Sequence, residues 1–144
     1  MWKILALLPC LAALAACSAK SPFGFSLPDG NPAAGKQAFV DLHCNSCHEV
    51  SGVGIEYLEG IAHVPLGGKT TRVRTYGELV TSIINPSHKI APPHRDEVHR
   101  GESLMTYMYL NDVMTVRQLV DVVAFLQPTY QLVQPPAARW AMYQ

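Results

Sequence analysis

Cys44-Asn45-Ser46-Cys47-His48 is the stretch from which the rest of this 144-residue chain can be read. Two thiols two residues apart, followed at once by a histidine, form the pattern that takes a haem covalently. Each thiol adds to a vinyl group of the porphyrin, and the imidazole of the next residue reaches the iron from one face. The spacing suits that chemistry because a short turn presents both sulfurs to one porphyrin edge, with His48 projecting beneath the ring. A thioredoxin-like redox pair also uses Cys-x-x-Cys, but it expects a preceding strand in a βαβ setting, and no such pattern surrounds this motif. Half a zinc site is the third reading, and it lacks a second Cys pair to complete it.

Working outward, the residues before the motif read as a helix. Asn31 is a strong N-cap, and Pro32 suits the first helical position. The segment Ala33–Val40 then runs toward His43, with Phe39 and Val40 as its expected buried pair. Gly35 weakens that helix by up to ~1 kcal/mol relative to alanine, a cost tolerated where another helix packs closely. After the motif, glycines at positions 52, 54, 60, 67 and 68 predict an irregular loop from Glu49 to Thr71. Thr75-Tyr76-Gly77-Glu78 is a capping box, and Leu79, Val80, Ile83 and Ile84 follow at helical spacing until Pro86. Thr115-Val116-Arg117-Gln118 is a second capping box. It opens a helix striped by Val116, Leu119, Val120, Val123 and Leu126 and stopped by Pro128. The expected fold class is all-α, with three to four helices around one haem.

That order of helix, attachment motif, loop, short helix, methionine-bearing loop and helix resembles class I cytochromes c over roughly Asn31 to Leu126. The resemblance implies a mono-haem electron carrier with haem c as its cofactor. It also implies a proline loop, and Pro65-Leu66-Gly67 resembles one. There the Pro65 carbonyl would accept a bond from the second nitrogen of His48, orienting the ring and raising its basicity; the alternative is a proline that only punctuates a turn. Arg72 and Arg74 suit the haem propionates, since guanidinium forks match carboxylates, although a solvated basic patch accounts for them as well.

The sixth iron ligand is expected from the loop between Ile90 and Thr115. In the family this is usually a methionine followed by proline, and neither Met105 nor Met108 is followed by one. Met105 has Tyr107 two residues on, whereas Met108 lies nearer the usual distance before the last helix. Met105 is the first choice and Met108 the second. Met114 abuts the Thr115 cap and reads as a packing residue. His63, His88, His94 and His99 are alternative ligands, His88 foremost. An open distal site with an acid–base histidine would instead suit a haem enzyme, or the haem subunit of an oxidoreductase complex.

The chain begins with Met1-Trp2-Lys3 and an apolar run from Ile4 to Ala16, too short to span a bilayer, which reads as an export signal. Its end, Leu14-Ala15-Ala16-Cys17, resembles the lipobox of bacterial lipoproteins. That resemblance implies acylation of Cys17 and a lipid-anchored protein on the periplasmic face of a membrane. Ser18 favours the outer membrane by the same resemblance. Cys10 has only a near-lipobox, broken by Pro9. With Cys10 removed, Cys17 acylated, and Cys44 and Cys47 on haem, no cysteine of the four remains for a disulfide. The expected organisation is signal 1–16, tether 17–30, cytochrome c domain 31–130 and an irregular tail 131–144. Lys+Arg and Asp+Glu balance at 11 each, so nothing in the charge points to nucleic acid. The expected partners are redox proteins and, through the anchor, the membrane.

Overall fold

The first helix forms because its end is satisfied locally. In the computed structural model, which describes residues 27–72, 74–90 and 98–133, the Asn31 side-chain oxygen accepts from the N–H groups of Ala33 (2.9 Å) and Ala34 (3.2 Å). Helix α1 then spans Pro32–Asp41. Its buried residues are Gly35, Ala38 and Phe39, an i, i+3, i+4 set that makes one narrow stripe. The expectation for Val40 fails: it is 37% exposed, and Ala38 joins Phe39 in the core instead. Val40 lies one step, about 100° of helix rotation, beyond the stripe.

That stripe packs on the last helix, α4 (Val116–Leu126). Both capping boxes close as expected, Thr75 with Glu78 and Thr115 with Gln118. In α4 the buried set is Leu119 to Val123 with Phe125 and Leu126, whereas Val116 in the first turn is 60% exposed and leaves the expected stripe. Phe39 and Phe125 meet edge to face with ring centroids 5.8 Å apart. The backbones approach so closely that a Cβ on Gly35 would overlap the Asp121 carbonyl. The close approach that Gly35 implied is therefore present. Buried Asp121 accepts the Asn31 N–H at 2.7 Å, which ties the entrance of α1 to α4.

Between these helices lie α2 (Tyr76–Ile84) and the short α3 (Leu110–Val113). Leu79 of α2 belongs to the core, and Val80 and Ile83 pack against it. Ile84 turns outward. The loop from Glu49 to Thr71 is not wholly irregular. Strand β1 (Gly68–Thr70) pairs in parallel with β2 (Tyr130–Leu132), with Gly68 opposite Tyr130 and Thr70 opposite Leu132. The start of the expected irregular tail is thus a strand, closed by the Val133 N–H donating to the Thr70 carbonyl at 2.8 Å. Trp140, the export signal, Cys17 and His94 lie outside the described residues. No helix of the described residues is long and apolar enough to cross a membrane.

Candidate haem site

Helix α1 ends at Asp41 and delivers the motif directly. His43 takes a left-handed conformation (φ 55°), and Cys44–Ser46 then make one 3-10 turn. This turn places Cys44, Cys47 and His48 on the wall of one cavity. The two cysteines are not joined in a disulfide. Burial pushes the Cys44 thiol up to about 11, with the neighbouring Cys47 adding to the rise and a backbone hydrogen bond opposing it. A helix and not a strand leads into the motif, so the βαβ setting of a thioredoxin-like redox pair is not present there. Among the described residues no cluster of three or more His, Cys, Asp or Glu gathers to hold a metal ion.

The loop after the motif is bonded to it carbonyl by carbonyl. Leu58 N–H donates to Asn45 O (3.0 Å), Gly60 N–H to Ser46 O (2.7 Å), Val64 N–H to Cys47 O (2.8 Å) and Leu66 N–H to Glu49 O (2.8 Å). Asn45, buried between the two cysteines, adds a side-chain bond from Nδ2 to the Glu56 carbonyl at 2.9 Å. The loop therefore sets the position of His48. Its Nδ1 lies 3.0 Å from the carbonyl of Val64, one residue before the proline expected to serve. A carbonyl only accepts, so Nδ1 is the donor in this bond, and Nε2 is the nitrogen that would serve an iron. Pro65 is displaced from that role and instead lines the cavity.

The cavity has two lobes, of about 240 and 440 Å³, within or near the ~300–1,000 Å³ usual for cofactor pockets. They adjoin, since Cys44, His48, Ser82, Lys89, Met105 and Leu110 line both. The methionines separate here. Met105 reaches both lobes, Met108 only the first and Met114 only the second. Met108 is also 39% exposed. Among the described histidines only His43 and His48 line the cavity. His63 pairs with Glu49 at 3.1 Å on the surface, His99 stacks on Tyr107, and His88 Nδ1 turns to the Asn85 carbonyl at 2.8 Å. His88, the foremost alternative ligand, thus lies off the cavity, while His43 lies on it unannounced except by adjoining Cys44.

Lys69, Arg72, Arg74 and Lys89 line the second lobe, so the two arginines do reach the cavity. The Thr75 N–H holds the Glu78 carboxyl below the usual carboxylate range, and Lys89, Arg74 and Arg72 reinforce the effect. The Arg74 guanidinium sits 5.9 Å over the ring of Tyr130. Burial pushes the Tyr130 phenol up, against a hydrogen bond with the Gly67 backbone and the charge of Arg74. Sequence reasoning missed Tyr130 and strand β2. Their signal is the β-prone run Tyr130-Gln131-Leu132-Val133 that follows Pro128-Thr129.

A helical fold that brings a Cys-x-x-Cys-His turn to the wall of an apolar cavity rimmed by cations defines a class of protein, one that holds a porphyrin by two thioethers and an imidazole. The family model for Cytochrome c matches residues 32–129, more than half of the chain, and the chain belongs to that family. Neither the search of curated proteins nor that of solved structures returned a match. As a member of the family the chain is an electron-carrying haem protein with covalently attached haem c, and its fold is the all-α cytochrome c fold.

Proposed function

We propose that this protein is a lipid-anchored, periplasmic mono-haem carrier of single electrons between redox proteins, its iron held by His48 and Met105. When bound, the haem supplies the one-electron ferric/ferrous couple. The chain supplies the rest: two thioether sulfurs, an imidazole fixed by Val64, a sulfur from the segment after α2, and cations for the propionates. The observation that carries the reading is Met105, which lines both lobes of the cavity together with His48. Methionine sulfur is a soft, weak donor that favours ferrous iron, so a His/Met pair raises the potential. Met105→Ala should abolish the sulfur-to-iron charge-transfer band of the ferric protein, admit carbon monoxide and lower the midpoint potential. Met108→Ala should leave the band in place. An exchange of those outcomes would make Met108 the ligand. If neither variant changes the spectrum, a histidine or no protein ligand occupies the distal site, and an open site would make a haem enzyme or the haem subunit of one the better description.

The single-haem count rests on one Cys-x-x-Cys-His motif in the sequence. Haem should stay with the polypeptide through acid–acetone extraction, and Cys44→Ser with Cys47→Ser should release it. The anchor rests on Leu14-Ala15-Ala16-Cys17 at the end of the apolar run. Multiple acyl chains on Cys17 would give stable attachment, since two already suffice. Cys17→Ser should move the protein from the membrane to the soluble fraction, and a mature mass with no lipid increment would refute the anchor. Ser18 supports the outer membrane as the address.

A further inference from the structure

We propose that Ser87 is a positioning residue for Met105, holding the segment that carries it against the end of α2. Ser87 sits in the 3-10 turn Pro86–His88 that follows α2, and Met105 lies in the turn Leu104–Met108. The Ser87 hydroxyl accepts the Ser103 N–H at 3.0 Å and pairs with the Thr106 hydroxyl at 2.9 Å. It therefore grips the chain two residues before Met105 and one residue after it. Within the segment, the Met105 N–H donates to the Ser103 hydroxyl (3.3 Å) and the Thr106 N–H to the Ser103 carbonyl (2.9 Å), so what Ser87 holds is one small rigid unit. A second tie, from Asn111 Nδ2 to the Ile84 carbonyl at 2.8 Å, fixes the far end of the segment to the same end of α2.

Such ties matter because the segment is not anchored by a buried side chain of its own. None of the residues of the Leu104–Met108 turn is buried, and Tyr109 behind it is forced into a left-handed conformation (φ 51°). A weak sulfur donor competes with exogenous ligands only while its backbone is kept in place. Losing the Ser87 hydroxyl removes two hydrogen bonds and leaves a half-buried Ser103 N–H to find water.

The inference rests on Met105 being the iron ligand, and one titration separates the two ideas. The full-length ferric holoprotein is titrated with imidazole while the Soret band, present with or without a sulfur ligand, and the charge-transfer band are both followed. Ser87→Ala should bind imidazole about tenfold more tightly, the effect of roughly one net hydrogen bond on the closed state. Ser87→Thr, which keeps the hydroxyl, should restore the wild-type affinity. In a Met105→Ala background, Ser87→Ala should change nothing further, because no sulfur remains to be positioned. If Ser87→Ala binds imidazole like wild type while Met105→Ala still loses the band, the positioning role is overturned and the ligand assignment stands. Equal tightening by Ser87→Ala and Ser87→Thr, or an undiminished effect in the Met105→Ala background, also overturns it. A band that survives Met105→Ala overturns the ligand assignment and the positioning role together.

Discussion

In an extended segment the N–H and carbonyl of one residue point the same way, and those of the next residue point opposite. Val64 and Leu66 both direct their amides at the motif, to Cys47 and Glu49. Val64 therefore also turns its carbonyl there and meets His48, while Pro65 faces away at the one position where no N–H is needed. The sequence marks the proline; parity is decided by which motif carbonyl the loop bonds first, and that register is non-local. Gly60 helps set the register, because a Cβ at that position would overlap the Ser46 carbonyl. Gly60→Ala should peel the loop from the motif and destabilise the holoprotein by on the order of 1–3 kcal/mol, the usual range for forced overpacking. Denaturant unfolding checks this, and Gly52→Ala is no control, since its φ of 75° strains any side chain.

At the scale of elements, the crossing of α1 and α4 decides which residues are core. Caps were legible in the sequence because each is a local exchange: Thr75 and Glu78, Thr115 and Gln118, Asn31 with its own first turn. The faces were legible only in part. Val40 and Val116 are as apolar as their neighbours, and only the line along which the helices touch leaves them outside. Strands β1 and β2 are three residues each and pair across some sixty positions, so neither announces itself by periodicity. The crossing makes a contrast that can be tested. Alanine is the better helix former by up to ~1 kcal/mol, so Gly77→Ala in α2, with nothing near the new methyl, should be neutral or slightly stabilising. Gly35→Ala should go the other way by on the order of 1–3 kcal/mol, because the methyl meets the Asp121 backbone. Two melting curves beside the wild type decide it; equal shifts would mean that the helices adjust freely.

For the whole molecule, a formal charge of zero conceals a directed arrangement. Lys69, Arg72, Arg74 and Lys89 converge on the second lobe from β1, the segment before α2 and the segment after it. Strand β2 supplies Tyr130 as the platform under Arg74. Positive charge beside a haem favours the state with the extra electron, so these side chains should raise the potential as well as meet the propionates. The size follows from Coulomb's law: one charge removed from a partly solvated rim is worth a fraction of a kcal/mol, on the order of tens of millivolts for a one-electron couple. Arg74→Gln should therefore lower the midpoint potential by that amount and blunt its dependence on ionic strength. Arg74→Lys keeps the charge while losing the planar fork and much of the contact with Tyr130, and it should retain most of the potential. Tyr130→Leu keeps the apolar packing while removing the ring face, and the potential should shift less than in Arg74→Gln because the charge remains. Protein-film voltammetry at two salt concentrations reads all three variants. A potential that falls equally in Arg74→Lys and Arg74→Gln would assign the effect to the guanidinium's geometry and not to its charge.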